Sequence, residues 1–250
     1  MWRLPLHTLT NTNPMHYFKQ FWWKILTIAI LLYVLIAGLV NSVPRLPILN
    51  ETIRNAFYHP PLWIAMMTLL LLSAIFSIRY LSKGRIHDDL WAIEFANTAI
   101  LFGILGCITG SVWAYFAWGD FWPNDPKTNG VAVGMLLYLA YFILRGSFED
   151  EMRRARISSI YNIFAFAMFI PLIMILPRLT DSLHPGNGGN PGFNQYDQDK
   201  SITVIIRPAF IGFTLLALWI TQLRFRMRRI EKTIEEKESN QTLTDTSIIQ

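Results

Sequence analysis

The sequence predicts an all-α membrane protein, folded as a bundle of six transmembrane helices with both termini in the cytoplasm and a tryptophan-rich loop on the outer side. Three observations predict this fold. The chain of 250 residues is 52% hydrophobic and only 16% charged, whereas soluble proteins carry roughly 25% charged residues. Six apolar segments are long enough to cross a bilayer, and the basic residues between them fall mostly on one side.

A helix that crosses the roughly 30 Å hydrocarbon core needs about 20 mostly apolar residues. Six windows meet this requirement, and they run over 21–40, 61–81, 90–111, 131–145, 157–176 and 202–222. The first window follows a polar stretch and has no small-residue cleavage site after it, which favours a retained helix over a signal peptide. The fourth window is short, but it carries no charge between Val131 and Leu144.

Lysine and arginine near helix ends are retained in the cytoplasm, so their distribution orients the bundle. Of the 22 basic residues, 16 fall on the side that holds both termini and 6 on the opposite side. Residues 1–222 are therefore predicted to form the membrane domain. Residues 223–250 are predicted to form a polar cytoplasmic tail that is first helical and then disordered. The tail begins with four arginines that are expected to contact anionic headgroups: Arg224, Arg226, Arg228 and Arg229.

The residue content excludes several classes of protein. Cys107 is the only cysteine, so the chain has no disulfide framework, no thiolate metal site and no C-x-x-C-H motif. Glu94 is the only acidic residue within the six windows, which argues against an ion-coupled transporter. No histidine lies within a window, so a membrane cytochrome with axial histidines inside the bilayer is excluded. The basic residues form no stripe with interleaved aromatic residues, which argues against a nucleic-acid ligand.

Two of the five histidines, His59 and His184, fall on the outer side. His59 precedes Pro60 and Pro61 at the start of the second window, where proline is favoured because its missing N–H costs nothing. His184 follows the fifth window and leads into a loop rich in glycine and asparagine. A single outer histidine is most simply a surface residue. Two on one face, with an aromatic segment between them in the sequence, indicate a ligand site.

The aromatic segment runs over residues 113–127 and contains Trp113, Trp118 and Trp122, together with two phenylalanines and a tyrosine. Trp118 and Trp122 are four residues apart, which predicts that both lie on one face. Such a surface suits a flat, aromatic and largely apolar ligand. The alternative is an interfacial re-entrant segment, whose aromatic side chains lie at headgroup level.

Residues 118–125 read WGDFWPND, which closely resembles the tryptophan-rich WGxxWxWD signature (WWD motif) of the haem-handling proteins of cytochrome c biogenesis. Within that group, the size, the six spans, the inward termini and one outer histidine on each side of the signature are similar to the haem exporter protein C (CcmC) family. The larger relatives, CcmF and CcsA, carry more helices and additional histidines. Asn124 stands where the signature has its third tryptophan, which leaves the local stacking geometry open.

The resemblance implies a site for haem b on the periplasmic side of a bacterial inner membrane. His59 and His184 are then the axial ligands of the haem iron, from opposite faces. Four residues of the aromatic segment are implied to cradle the porphyrin: Trp113, Trp118, Trp122 and Asp125. Because delivery requires release, at least one of the two iron–nitrogen bonds has to be exchangeable, and the glycine-rich surroundings of His184 favour that histidine.

Outer basic residues bind the haem propionates in the family that the chain resembles. Arg54, five residues before His59, and Lys127, just after the signature, are the two positions expected to do so here. A cation pairs well with a carboxylate in a partly desolvated site. Arg178 is a third choice.

The resemblance also implies a transfer protein rather than an enzyme. The chain is expected to pass haem to a periplasmic haem chaperone (CcmE type), alongside ABC transporter subunits (CcmA and CcmB type) and a small membrane subunit (CcmD type). Three alternatives stay open. They are an assembly subunit that keeps the signature without binding haem, a haem transporter across the bilayer, and a hydrolase that pairs an outer histidine with Asp181 or Asp197. No G-x-S-x-G or H-E-x-x-H motif supports the hydrolase.

Overall fold

The computed structural model describes residues 14–44, 49–184 and 199–248. Every regular element in these ranges is a helix. The glycine-rich loop expected after His184 and the candidate carboxylate Asp197 lie outside the described residues.

Six helical segments are long and apolar enough to cross a membrane. In chain order, the helices are α1 (Pro14–Val40), a 3₁₀ helix (Asn50–Phe57), α2 (His59–Lys83), α3 (Ile86–Trp118), α4 (Pro126–Gly146), α5 (Glu151–Ile170), a π-helical turn (Pro171–Ile175), α6 (Leu176–Leu179) and α7 (Lys200–Ile248). α5, the π-helical turn and α6 together form one span. The chain is therefore a multi-pass membrane protein, and the predicted bundle of six transmembrane helices is confirmed.

The bundle is built around α2 and α3, which run antiparallel and are joined by a tight turn at Gly84. Gly84 has a φ of 65°, a left-handed conformation that glycine adopts without steric strain. Ala65, Ala96 and Ala99 are fully buried in the core, and such small residues let helices in a membrane approach closely. α5 and α7 both pack against α2 and α3, while α4 packs on α5 and α1 packs on α7.

α3 extends to Trp118, about two turns beyond its predicted end at residue 111. It ends at Gly119, whose φ of 81° is again left-handed. The tryptophan-rich segment is therefore divided between the last turns of α3 and a non-helical stretch before α4. The spacing argument that places Trp118 and Trp122 on one face requires one regular element, and the helix ends between them.

Buried carboxylates pair with arginines at the end of the bundle opposite the start of α2, which we call the arginine end. Arg145 donates two hydrogen bonds to Asp89, of 2.8 and 2.6 Å. Glu94 lies 2.8 Å from the Nε of Arg224 and 3.8 Å from the Nε of Arg228. Glu94, the only acidic residue within the predicted windows, thus has internal partners. These partners, Arg224 and Arg228, are two of the arginines expected to contact the headgroups.

α7 continues as one helix to Ile248, and the division at residue 222 between a membrane domain and a cytoplasmic tail stays a prediction. The segment after residue 222 contains neither glycine nor proline and is rich in Glu, Lys and Arg, which favour helix. Lys232 pairs with Glu151, so α7 is also tied to the start of α5. Propensity and ion pairs together account for the longer helix.

Candidate functional site

The candidate site lies where the start of α2, the end of α3, the start of α4 and the residues after α6 meet. We call this the histidine end. His59 is the first residue of α2, and Pro60 and Pro61 follow in its first turn. Because proline has a fixed φ that suits a first helical turn, the backbone that carries His59 is held rigidly.

The imidazole of His59 is held by α3. Its Nδ1 lies 3.1 Å from the carbonyl oxygen of Gly106 and 3.1 Å from the Oγ1 of Thr109. A carbonyl oxygen can only accept, so Nδ1 carries the proton and donates to Gly106. The lone pair is therefore on Nε2, which has no hydrogen-bond partner among the residues that the structure describes.

Glycines of α3 make room for three side chains of α2. A Cβ on Gly110 would lie 2.6 Å from the Cε1 of His59, and one on Gly106 would lie 2.9 Å from the Trp63 ring. A Cβ on Gly103 would lie 2.8 Å from the Sδ of Met66. We call the three glycines Gly103, Gly106 and Gly110 the glycine ladder. Gly110 provides the space that the His59 ring occupies.

The rings of Trp63 and Trp113 meet the His59 imidazole edge-on, with centroids 6.2 and 5.9 Å away. The indole Nε1 of Trp113 is buried and has no hydrogen-bond partner among the described residues. A buried donor without an acceptor is costly. This N–H is therefore available to an acceptor on a bound ligand.

Asp125 organises the other half of the histidine end. It is the N-cap of α4 and is 2% exposed. Its carboxylate accepts hydrogen bonds from five donors: Lys127 N–H (3.0 Å), Thr128 N–H (3.4 Å), Leu183 N–H (2.6 Å), Ser182 Oγ (3.1 Å) and His184 Nδ1 (2.9 Å). One carboxylate thereby joins the start of α4 to the chain that follows α6.

His184 is positioned by this carboxylate and by an aromatic ring. Its Nδ1–H donates to Asp125, so its Nε2 also carries the lone pair. The Trp118 ring lies 5.0 Å from the imidazole, centroid to centroid. His59 packs on Trp113 and His184 packs on Trp118, so both imidazoles lie against the last turns of α3. The structure therefore brings the two predicted histidines together.

The ionisation of Asp125 and His184 follows from their surroundings. Burial opposes the ionisation of Asp125, but the hydrogen bonds from Leu183 and Ser182 and the neighbouring His184 outweigh it and lower the pKa of Asp125. Burial also lowers the pKa of His184, and Lys127 lowers that pKa further, while Asp125 acts in the opposite direction. The site thus favours an ionised Asp125 beside a neutral His184.

Two cations lie next to the histidines. Lys127, in the first turn of α4, acts electrostatically on both His59 and His184. Arg178, on α6, is close enough to act on Lys127, and its Nη1 donates to the carbonyl of Met174. These two of the predicted cations therefore belong to the histidine end.

Arg54 has a different environment. Its Nη1 donates to the carbonyl oxygens of Gly38 and Asn41, both at 2.8 Å, and its Nε donates to Glu51 at 2.9 Å. Carbonyls at the end of a helix lack partners within that helix. Arg54 therefore caps the end of α1 and ties it to the 3₁₀ helix.

Trp122 makes no ring contact with either histidine in the described part of the chain. Its side chain is 41% exposed, and its backbone N–H donates to Asp120 at 3.0 Å. Nearby, Phe121 stacks on Tyr115 with centroids 4.4 Å apart. The segment therefore has a covered part at Trp113 and Trp118 and an exposed aromatic part at Phe121 and Trp122.

The sequence analysis missed the residues of α3 that support His59, namely Gly106, Thr109 and Gly110. A signal was present, because glycines at 103, 106 and 110 recur at helical spacing and line one face of α3. His59, Trp63 and Met66 follow the same spacing in α2. The two patterns fit each other only when α2 and α3 are aligned as a pair.

Comparisons with known proteins cover most of the chain. A family model described as "Heme exporter protein C" matches residues 6–241. "Heme exporter protein C" of Haemophilus influenzae is 25% identical over 195 residues, which cover 73% of this chain and 74% of that protein. The protein of the same name from Bradyrhizobium diazoefficiens is 27% identical over 169 residues, 67% of this chain and 63% of that protein. "Cytochrome c biogenesis protein CcsA" of Prochlorococcus marinus is 34% identical over 90 residues, 31% of this chain and 28% of that protein.

Proposed function

The chain belongs to the haem exporter protein C family, and from this membership and the geometry of the histidine end we propose that it handles haem in cytochrome c biogenesis. Haem is the cargo of the site, held transiently and then delivered. His59 and His184 ligate the iron through their Nε2 atoms. The histidine end faces the periplasm of a bacterial inner membrane, and both termini lie in the cytoplasm.

One observation carries this proposal: both histidines have Nδ1 engaged by an oxygen acceptor, and neither Nε2 has a hydrogen-bond partner among the described residues. The acceptor is the Gly106 carbonyl for His59 and the Asp125 carboxylate for His184. Metal-ligating histidines almost always donate their second ring N–H to a carbonyl or carboxylate, because this fixes the tautomer and raises the basicity of the ligating nitrogen. Histidines that only face solvent need no such acceptor at Nδ1.

The residues around the histidines suit a flat, apolar group with acidic substituents. Trp63, Trp113 and Trp118 supply aromatic surface beside the two imidazoles, and the free Trp113 N–H offers a donor to a bound group. Exposed Trp122 supplies further aromatic surface at the rim. Asp125 acts indirectly, by orienting His184.

Lys127 is the preferred partner for a haem propionate, with Arg178 second. Lys127 acts electrostatically on both histidines, and Arg178 lies beside Lys127, so the site concentrates positive charge that would attract the acidic substituents of haem. The Nε and Nη1 donors of Arg54 already have acceptors. We therefore assign Arg54 a structural role rather than a propionate contact.

Delivery follows from the unequal support of the two ligands. His184 lies outside any helix and depends on the Asp125 carboxylate, so it is the ligand that exchanges. The recipient is a periplasmic haem chaperone of the CcmE type. The membrane partners are ABC transporter subunits of the CcmA and CcmB type and a small subunit of the CcmD type. The cargo is haem b, bound non-covalently.

A second candidate function is an assembly subunit that binds no haem. Asn124 favours it, since this residue stands in place of the third signature tryptophan and accepts a hydrogen bond from Asn129 at 2.8 Å. An amide engaged with its neighbour offers no stacking surface to a porphyrin. The two functions differ in whether the purified protein carries haem.

The absorption spectrum of the full chain tests the proposal. We would purify wild type, His59→Ala, His184→Ala and the control His87→Ala in detergent after haem-replete expression with the partner subunits, and measure haem per chain. His87 lies at the arginine end, where it packs on Trp91 and Phe225. Wild type and His87→Ala are expected to show a low-spin Soret band.

The two site variants are expected to differ from wild type and from each other. His59→Ala should lose most of its haem, because the rigid ligand is gone. His184→Ala should keep part of its haem in a high-spin state, because the exchangeable ligand is gone. If all four proteins are equally colourless, haem ligation is rejected in favour of the assembly subunit.

A further inference from the structure

A cavity of about 470 Å³ lies at the arginine end, between α3, the connection from α4 to α5, and α7. Leu90, Ile93, Phe142 and Phe148 give it an apolar wall. α4 ends and α5 begins at its edge, so the cavity lies where the spans meet the membrane surface. Trp91 is one residue from the cavity wall, and tryptophan is enriched at this depth of a bilayer. The cavity therefore lies at the depth of the lipid headgroups.

The rest of the lining carries charges of both signs. The cations are Arg145, Arg154, Arg228 and Lys232, and the carboxylates are Glu151, Glu231 and Glu235. Most of these groups already have partners. Arg145 binds Asp89, Arg228 lies 3.3 Å from Glu231, and Lys232 pairs with Glu151.

One cation and one carboxylate of the lining remain available. The only ion pair of Arg154 in the described part of the chain is a long contact of 3.9 Å with Glu151, which Lys232 also engages. Glu235 pairs with no residue among those described. A ligand that offers both an anion and a cation would complement both groups.

We propose that this cavity binds the headgroup of an aminophospholipid, with the phosphate on Arg154, the primary ammonium on Glu235 and the upper acyl chain along the apolar wall. Basic pockets between transmembrane helices bind lipid headgroups. The carboxylates of this pocket, however, disfavour a headgroup that carries only negative charge, since that charge would face Glu235. A headgroup with both signs meets each group with its opposite. This site is independent of the proposed haem function.

Native mass spectrometry of the full chain tests the proposal. The detergent-purified protein is titrated with phosphatidylethanolamine, phosphatidylcholine or phosphatidylglycerol of identical acyl chains. Phosphatidylcholine keeps both charges but has no ammonium N–H to donate. Phosphatidylethanolamine is expected to be retained about tenfold better than either of the other two, which corresponds to the loss of one charge-assisted hydrogen bond.

Three variants assign the contacts. Arg154→Gln should reduce retention of phosphatidylethanolamine about tenfold. Glu235→Gln should abolish the preference for phosphatidylethanolamine over phosphatidylcholine. Arg156→Gln is the matched control, since Arg156 is an exposed arginine of the same helix that does not line the cavity. Equal retention by the Arg154 and Arg156 variants, or equal retention of phosphatidylglycerol and phosphatidylethanolamine by wild type, would overturn the proposal.

Discussion

The two histidines of the proposed haem site are held in opposite ways. His59 begins a regular helix, and its Nδ1 partner is a neutral carbonyl in the backbone of α3. The glycine ladder and two tryptophans surround its ring. His184 lies outside any helix, and its Nδ1 partner is one ionised carboxylate. A pair of packed helices thus supports one histidine, and a single side chain supports the other.

Because of this difference, we expect one ligand to stay fixed and the other to exchange. A backbone carbonyl within a packed helix cannot move without disturbing α2 and α3, so His59 stays in place whether or not haem is bound. The Asp125 carboxylate accepts hydrogen bonds from five donors. A shift of the chain after α6 changes three of them together, those from Ser182, Leu183 and His184. A transfer protein needs one fixed ligand and one that can leave, and the histidine end has one of each.

The largest effect is expected from closing the slot that holds His59. In Gly110→Ala the new Cβ would lie 2.6 Å from the Cε1 of His59, which is too close, so the ring has to leave its acceptor. Haem per chain, measured from the Soret band, is expected to fall at least about tenfold, which is roughly 1.4 kcal/mol of binding free energy.

Gly103→Ala is the matched control for the slot, because it adds the same methyl group two steps along the same ladder. Its Cβ would meet the Sδ of Met66 at 2.8 Å and the Sδ of Met135 at 2.9 Å, and flexible thioethers can move aside. This variant is expected to keep nearly all its haem. Equal haem loss in both variants would mean that the α2–α3 packing matters and the position of His59 does not.

A somewhat smaller effect is expected from Asp125→Asn, which weakens the support of His184. The amide oxygen still accepts, and asparagine is a good N-cap, so α4 stays capped. The charged acceptor for His184 is lost, and hydrogen bonds to charged groups contribute about 1.5–3 kcal/mol. Loss of part of this should lower haem occupancy about fivefold and shift the spectrum towards the high-spin form.

Asp150→Asn provides the control for a general capping effect. Asp150 caps α5 by accepting from the Arg153 N–H at 2.7 Å and touches no histidine. Its variant is expected to match wild type in haem content and spectrum. If both Asn variants lose haem alike, Asp125 acts by holding α4 and the contrast between the two histidines disappears.

A smaller change, about threefold in haem dissociation rate, is expected for Lys127→Gln. The glutamine removes a cation that acts on both histidines. The same change in dissociation rate should therefore appear when Lys127→Gln is combined with His59→Ala and when it is combined with His184→Ala. Arg54→Gln should leave the dissociation rate unchanged and lower thermal stability, because Arg54 caps α1. The reverse result would restore Arg54 as the propionate contact.

The contrast between these cations shows where sequence reasoning reached its limit. The six spans were predictable because a bilayer demands apolar length, and Lys127 was identified from its place beside the signature. The contacts of Arg54 depend on which carbonyl oxygens at the end of α1 lack a partner within the helix. Hydropathy does not predict which carbonyls these are. Similarly, residues four apart share a face in a helix and in a strand, so the positions of Trp118 and Trp122 did not disclose the helix end at Gly119.

The pairing of the two histidines was predictable from their shared side, whereas their support was not. Gly106 and Thr109 are 47 and 50 residues from His59, and the register of α2 against α3 decides whether they meet. Asp125 was expected to cradle the porphyrin, as part of a motif. Its hydrogen bond to His184 spans 59 residues and depends on the path of the chain after α6.

The smallest effect is expected from Thr109→Val, which tests how His59 keeps its tautomer. The hydroxyl of Thr109 lies 3.1 Å from Nδ1, but it also donates to the Leu105 carbonyl at 2.9 Å, and the Gly106 carbonyl remains after the substitution. Haem content should change less than about threefold, as it should in the control Thr68→Val, whose hydroxyl bonds only to its own helix. A loss as large as that of Asp125→Asn would mean that each histidine depends on one side chain, and then nothing in their support would distinguish the fixed ligand from the exchangeable one.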